Sequence, residues 1–192
     1  MANKKGKIFI LSGPSGSGKT TLYRRLLESP NLKDRIIKNV SITTRAPREG
    51  EKHGKDYFFI SRRLFEYKKR EGHFLESMKV FDNHYGTPKK AVRTALRDGK
   101  NVLLCIDVKG ARVVRRKFPD AVSVFIKTKS LAELKKRLVG RGSEDKRRVQ
   151  LRLATAKKEI KESGRYKYVV INDKIPQAQH QLEKIILSEI SA

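Results

Sequence analysis

A chain of 192 residues suffices for one α/β domain with a sizeable core and is too short for two ordinary ones. Its 46 basic against 20 acidic residues give a formal charge of +26, which favours polyanionic partners without choosing among nucleotides, nucleic acid and anionic membrane, while 38% apolar residues exclude wholesale disorder. Cys105, the single cysteine, excludes an internal disulfide and a cysteine-built metal site; no apolar run reaches membrane length or the pattern of a secretion signal, so a soluble, cytoplasmic protein is expected.

The first apolar run, KIFILSG, is short, continuous and closed by glycine, as suits a parallel strand covered on both faces. Next comes Gly13-Pro14-Ser15-Gly16-Ser17-Gly18-Lys19-Thr20, which matches G-x-x-x-x-G-K-[ST], and then TLYRRLLES with helical spacing. A strand before and a helix after are the setting in which such a loop curls its N–H groups around phosphate oxygens. Lys19 should therefore reach the β- and γ-phosphates of ATP or GTP, the Thr20 hydroxyl should ligate Mg²⁺, and Thr21 joins the triphosphate set.

From about residue 39 to 87 the rhythm breaks into short strands, VSITT, YFFI and HFLESMKVF, around one helix, SRRLFEYKKREG, which predicts an inserted sub-domain. Within it, SITTRAPREGE sets Arg45 and Arg48 around Pro47. A triphosphate site leaves the acceptor open: water, a protein hydroxyl or another phosphate. If the acceptor is a nucleoside monophosphate, its dianion must be brought against the γ-phosphate, and fixed cations have to cancel the repulsion. Arginine suits this because its planar fork binds phosphate oxygens bidentately and keeps its charge. Arg45 and Arg48 fit such a clamp, with Tyr57 and Tyr85 as hydroxyl donors. The alternative is two basic residues decorating a surface loop.

Strand and helix then alternate again: KKAVRTALRDG, NVLLCID, ARVVRRKF, AVSVFIKT, SLAELKKRLVG, YKYVVIND and AQHQLEKIILSEI. This predicts right-handed βαβ units and an α/β fold with a parallel central sheet. The charged stretch at about 137–158 holds Gly140 and Gly142, where a helix can hinge. We expect one domain over 5–188, with its core at about 1–38, 88–136 and 159–192, the insertion at 39–87 and a mobile lid at 137–158. Asp107, ending NVLLCID, reads equally as a carboxylate near metal or substrate and as a cap of the next helix.

GPSGSGKTT, VSITTRAPREGEKHGKDYFF, FLES, YGTP, IDVKGA, RLVGRG, RLATAKKE and VIND resemble, in order and spacing, the guanylate kinases. The resemblance runs from about Lys7 to Leu187 and implies a three-layer P-loop fold and transfer of the ATP γ-phosphate to GMP with Mg²⁺. It implies a GMP phosphate clamp of Arg45, Arg48, Tyr57 and Tyr85, and a guanine-reading set of Ser41, Glu76, Thr87 and Asp107, the last also reaching the metal through water. Glu51 would orient the neighbouring arginines or tyrosines. Arg137, Arg141 and Arg152 would be lid arginines over ATP, and Asn172 would lie near the adenine, although Asn172-Asp173 also suits a strand-to-helix turn. One physical argument stands apart from the resemblance: guanine offers N1–H and a 2-amino group to a single carboxylate, whereas adenine would leave Glu76 unpaired.

Three positions depart from the family pattern. Cys105 stands where an aspartate is common, Lys109 where glutamine precedes Gly110, and Lys167 where an aspartate precedes the last strand. His53 and His84 fall in acceptor-site segments but match no catalytic position, and His73 and His180 read as surface or packing residues. Rival readings are a guanylate-kinase-like interaction module, disfavoured by the intact Lys19, Thr20, Arg45 and Arg48, and a phosphokinase acting on a phosphorylated sugar. The expected partners are ATP and GMP, with tolerance of dGMP open. Neither a membrane nor a specific nucleic acid is expected, since the aromatics are not interleaved with the basic residues, and the chain should be a monomer or a small homo-oligomer.

Overall fold

The structure, a computed structural model, describes residues 5–140 and 146–192. In chain order, β1 (Ile8–Ser12) leads into α1 (Lys19–Glu28) and β2 (Ile36–Lys38). The insertion follows with β3 (Ile42–Thr43), β4 (Phe58–Phe59), α2 (Arg62–Arg70), β5 (Phe74–Val80) and β6 (Asn83–Pro88). The chain returns to the core through α3 (Lys89–Arg97), β7 (Asn101–Cys105), α4 (Val108–Lys117), β8 (Val122–Lys127) and α5 (Leu131–Val139). It ends with α6 (Lys146–Lys161), a short 3₁₀ turn, β9 (Tyr168–Ile171) and α7 (Ile175–Ser191).

Five strands form a parallel sheet in the order β2-β7-β1-β8-β9. Alternate residues of β1 point to opposite faces, and both faces are apolar. Phe9 and Leu11 pack with Leu22 and Leu26 of α1 and Leu182 and Ile186 of α7. Ile8 and Ile10 pack with Val92 and Leu96 of α3 and Ala111 and Val114 of α4. Each such fully buried side chain contributes about 1.5–3 kcal/mol relative to exposure, so the helix–sheet–helix sandwich is held from the central strand outward.

Helix ends follow local chemistry. Ser130 caps α5 by accepting the Glu133 N–H at 3.1 Å, the Ser-x-x-Glu spacing of a capping box, and Glu133 then pairs with Arg137 one turn on, Nε to Oε1 2.9 Å. The second sheet runs β4-β3-β6-β5, with β3 antiparallel to β6 and β6 antiparallel to β5. All five core strands end at the same edge, and the phosphate loop, the insertion, Asp107 and Asn172 all leave from that edge.

Two strands fall outside the sequence expectation. β2 is three residues long, and β6, NHYGTP, carries glycine and proline without an alternating pattern. Each is a strand because a longer neighbour, β7 or β5, pairs with it.

Candidate active site

The phosphate loop keeps its shape through its glycines. Gly13 sits at φ 142°, and a Cβ there would lie 2.1 Å from the Ile126 carbonyl oxygen of β8. Gly18 sits at φ 90° as the N-cap of α1, and a Cβ there would lie 2.1 Å from Asn172 Nδ2. Neither position has room for a side chain. Lys19 folds over the loop, its Nζ donating to the carbonyls of Gly13 at 2.6 Å and Pro14 at 2.9 Å. Those carbonyls hold an ammonium at the mouth of a helix N-terminus, where an anion is favoured.

Asn172, Arg137 and Arg152 meet this loop. The buried Asn172 amide donates from Nδ2 to the Ser17 carbonyl at 2.8 Å, leaving its Oδ1 buried without a partner among the described residues. Arg137 donates from Nη2 to the Asn172 carbonyl at 2.9 Å, so Glu133 and the end of β9 together bring it beside Gly18. From α6, Arg152 donates from Nη1 to Ser15 Oγ at 2.8 Å and stacks over the Phe81 ring at 4.6 Å. Arg141 lies outside the described residues. Thr20 and Thr21 are exposed on the first turn of α1, and Thr20 lines a cleft with Ser41, Glu51, Tyr57 and Cys105. The Thr20 hydroxyl in that cleft and the carboxylate of Asp107 at the same sheet edge are hard oxygen donors, the donor chemistry that fits Mg²⁺.

Across the cleft, the insertion builds a second cationic site. Thr43 and Thr44 pin the loop to β6: Thr43 Oγ1 donates to the His84 carbonyl at 3.0 Å, and Thr44 Oγ1 accepts the His84 N–H at 2.9 Å. Sequence reasoning assigned these threonines no part, although their pairing before Arg45 was the available signal. Glu51 then gathers the loop, accepting Arg45 Nη2 on both oxygens at 2.9 Å and the Arg48 N–H at 2.8 Å. Arg45 lies over the rings of Tyr57 at 5.6 Å and Phe59 at 5.8 Å, and Tyr57 meets Tyr85 edge-on at 6.1 Å. Burial pulls the Arg45 guanidinium down, but Glu51 and Tyr85 outweigh it and the net shift is upward. Arg48 presents an exposed guanidinium with no side-chain partner among the described residues.

Deeper in the insertion, Glu76 on β5 pairs in register with Thr87 on β6, and both are buried. Burial pushes the Glu76 carboxyl up to about 7, against the Thr87 hydroxyl, which favours its charged form. Gly110 of α4 packs so closely beneath Glu76 that a Cβ there would lie 2.7 Å from Oε2. Asp107 stands beside it, capping α4 by accepting the Gly110 N–H on Oδ1 at 2.7 Å. The cap reading of Asp107 is the one seen directly, and its carboxylate stands beside Glu76 across Gly110. Burial raises its carboxyl, with the Gly110 N–H, Lys19 and Lys109 pulling the other way.

Ser41, Arg45, Arg48, Glu51, Tyr57, Glu76, Tyr85 and Thr87 thus all lie in the insertion, while Lys19, Arg137, Arg152 and Asn172 gather at the loop. Of the departures, Lys167 pairs with Glu189 at 2.6 Å, away from the cleft, and Cys105 is a thiol at its floor. Sequence reasoning missed Lys38, which lines the same cleft and donates to the Lys55 carbonyl, tying β2 to the insertion. Arg24 of α1 does the same through Asp56 at 2.8 Å.

A phosphate loop between a parallel strand and a helix, faced by an inserted sheet with its own arginines, places the chain among the P-loop phosphotransferases. A model of the guanylate kinase family matches residues 5–189. A guanylate kinase of Lactiplantibacillus plantarum is 44% identical over 186 residues, 97% of this chain and 89% of that protein. The crystal structure of guanylate kinase from Anaplasma phagocytophilum superposes with a TM-score of 0.81 at 34% identity, covering 98% of this chain and 88% of that one. The chain belongs to the guanylate kinase family. Its reaction is the family's, transfer of the γ-phosphoryl group of ATP to GMP to give ADP and GDP.

Proposed function

We propose that the two cationic sites divide this reaction between them: the loop from Gly13 to Thr21, with Arg137, Arg141, Arg152 and Asn172, takes ATP, and the insertion takes GMP. The observation that carries the division is the Arg45–Glu51 pair, which fixes one guanidinium in the loop that also carries the exposed Arg48, with Glu51 itself lining the cleft opposite Thr20. In this reading Arg45, Arg48, Tyr57 and Tyr85 bind the GMP phosphate, and Glu51 positions the first two. Glu76 accepts N1–H and the 2-amino group of guanine, Thr87 and Ser41 complete the base pocket, and Asp107 holds the floor. No general base is needed, because the GMP phosphate oxygen is already a nucleophile; positioning and fixed positive charge supply the acceleration.

Lys19 reaches the β- and γ-phosphates by leaving the carbonyls of Gly13 and Pro14, and Arg137 and Arg152 stabilise the charge that develops on the transferred group. Thr20 and Asp107 would hold Mg²⁺, which when bound would supply neutralisation of charge on the triphosphate. The segment 39–87 serves as the acceptor sub-domain and 137–158 as a lid that excludes water once both substrates are seated. We further propose a cytoplasmic monomer or small homo-oligomer without a specific nucleic-acid partner; among the described residues no helix is long and apolar enough to cross a membrane.

A coupled assay of ADP formation with GMP, AMP, CMP and UMP in parallel tests this reading. Turnover confined to GMP, and lost on Arg45→Met, is expected. Equal turnover of AMP, or a near-normal rate from the Met variant, would overturn the assignment of the insertion.

A further inference from the structure

Helix α6 meets the phosphate loop through Arg152 and meets α5 through Ala156. Arg152, Ala156 and Glu159 are spaced four and three residues apart, so they share a face. Arg152 touches Ser15, and the buried Ala156 packs with Leu134 and Leu138 of α5. Leu138 in turn lies 3.0 Å from where a Cβ on Gly16 would stand. Glu159 follows at the far end of that face, half-buried, with no hydrogen bond or ion pair to any described residue.

Among the described residues, the charged groups whose fields act on it are Lys19 from α1 and Asp107 and Lys109 from the start of α4. Burial holds its carboxyl up at about 7, with Lys19 pulling down, Asp107 pushing up and Lys109 pulling down. The phosphoryl-transfer scheme above makes no use of this group. Among the described residues, Glu159 and Asp107 are carboxylates on which the charge of Lys19 acts.

We propose that Glu159 is a positioning residue that makes triphosphate binding depend on the metal: its carboxylate repels a bare triphosphate and tolerates one that arrives with Mg²⁺. The inference rests on the reading of the phosphate loop as the ATP site. A carboxylate placed beside the loop lysine weakens binding of an anion unless a divalent cation comes with it, so the unwanted ligand is rejected by a built-in penalty. A half-buried position keeps that repulsion from being screened as it would be at the surface.

Calorimetric titration at pH 8.5, where the carboxyl is ionised, separates the possibilities. Wild type, Glu159→Gln and Glu159→Asp are each titrated with ATP in EDTA and with ATP in excess Mg²⁺. In Glu159→Gln the metal-free nucleotide should bind about tenfold tighter than in wild type, while MgATP changes by less than about twofold. Glu159→Asp should keep the wild-type ratio of the two affinities, because the charge is retained. An unchanged ratio in the Gln variant, or an equal loss of both affinities, would overturn the proposal. Failure of the underlying site reading shows differently: wild type would bind no MgATP, or Lys19→Ala would bind it undiminished.

Discussion

Thr87 donates its hydroxyl to Oε1 of Glu76 at 2.5 Å, across a register that makes the two residues direct partners on β5 and β6. The hydroxyl occupies one side of a buried carboxylate, and Gly110 closes in on Oε2. The group that is proposed to read guanine is thus held in place before the base arrives.

Because burial raises Glu76 to about 7, the folded protein without ligand binds a proton there that the unfolded chain releases near 4.5. Its charge therefore costs stability progressively as pH rises from about 4.5 to 7, and that cost is absent below 4.5. Glu76→Gln should make the ligand-free protein more stable than wild type by on the order of 3 kcal/mol at pH 8, with the difference vanishing at pH 4. Urea denaturation at the two pH values measures this. The same variant should lose discrimination between GMP and AMP, and wild-type affinity for GMP should fall as pH drops below about 7, because only the ionised carboxylate accepts both guanine donors.

Arg45 and Glu51 act as one unit, since both carboxylate oxygens lie 2.9 Å from the same guanidinium nitrogen. Arg45→Met should lower kcat/KM for GMP by about 10²- to 10³-fold through loss of a fixed cation. Glu51→Gln should cost less, about tenfold, by loosening the aim of Arg45 and the Arg48 backbone. In the double variant the losses should not add, because Glu51 has nothing left to orient. Steady-state kinetics on the four-member cycle provides the measurement, and simple additivity would separate the two residues.

Gly13 offers a test that bears on stability as well as binding. Its Cβ would meet the Ile126 carbonyl at 2.1 Å, a backbone atom of the neighbouring core strand that cannot swing aside. Gly13→Ala should destabilise the fold by about 2–4 kcal/mol, combining strain at positive φ with the clash. Gly50→Ala is the control: its φ is also positive, 75°, but a Cβ there would meet nothing within 4 Å, so it should cost only the backbone strain of about 1 kcal/mol. Thermal or urea unfolding of the two variants distinguishes the contributions.

The long core strands were legible because burial on both faces leaves a continuous apolar run, as in IFILS and VSVFIK. The phosphate loop was legible for a different reason: its glycines and lysine are local requirements of one tight loop. What escaped was non-local. β2 and β6 are strands because of what they pair with, and nothing in IIK or NHYGTP shows that partner. Likewise Glu159 reads in sequence as one more charge on a basic helix, and only the folded chain brings it within the electrostatic reach of Lys19, far away in sequence. Arg45 and Glu51 were recoverable because they lie six residues apart in one loop, whereas Glu76 and Gly110 meet only after the insertion folds back on α4.

Asp107 combines a cap with a charge, and two substitutions separate them. Its Oδ1 accepts the Gly110 N–H at 2.7 Å, a bond that asparagine reproduces with a carbonyl oxygen and alanine does not. Asp107→Asn should therefore keep stability within about 0.5 kcal/mol of wild type, while Asp107→Ala should lose about 1 kcal/mol or more. The carboxyl charge beside Glu76 disappears in both. If that charge serves the site, both variants should lose turnover to a similar extent, with Asp107→Asn doing so in a fully stable protein. If capping is its whole role, turnover should follow stability and the Asn variant should work at the wild-type rate. Parallel denaturation and ADP-formation measurements on the two variants decide between a cap that happens to face the cleft and a carboxylate the reaction uses.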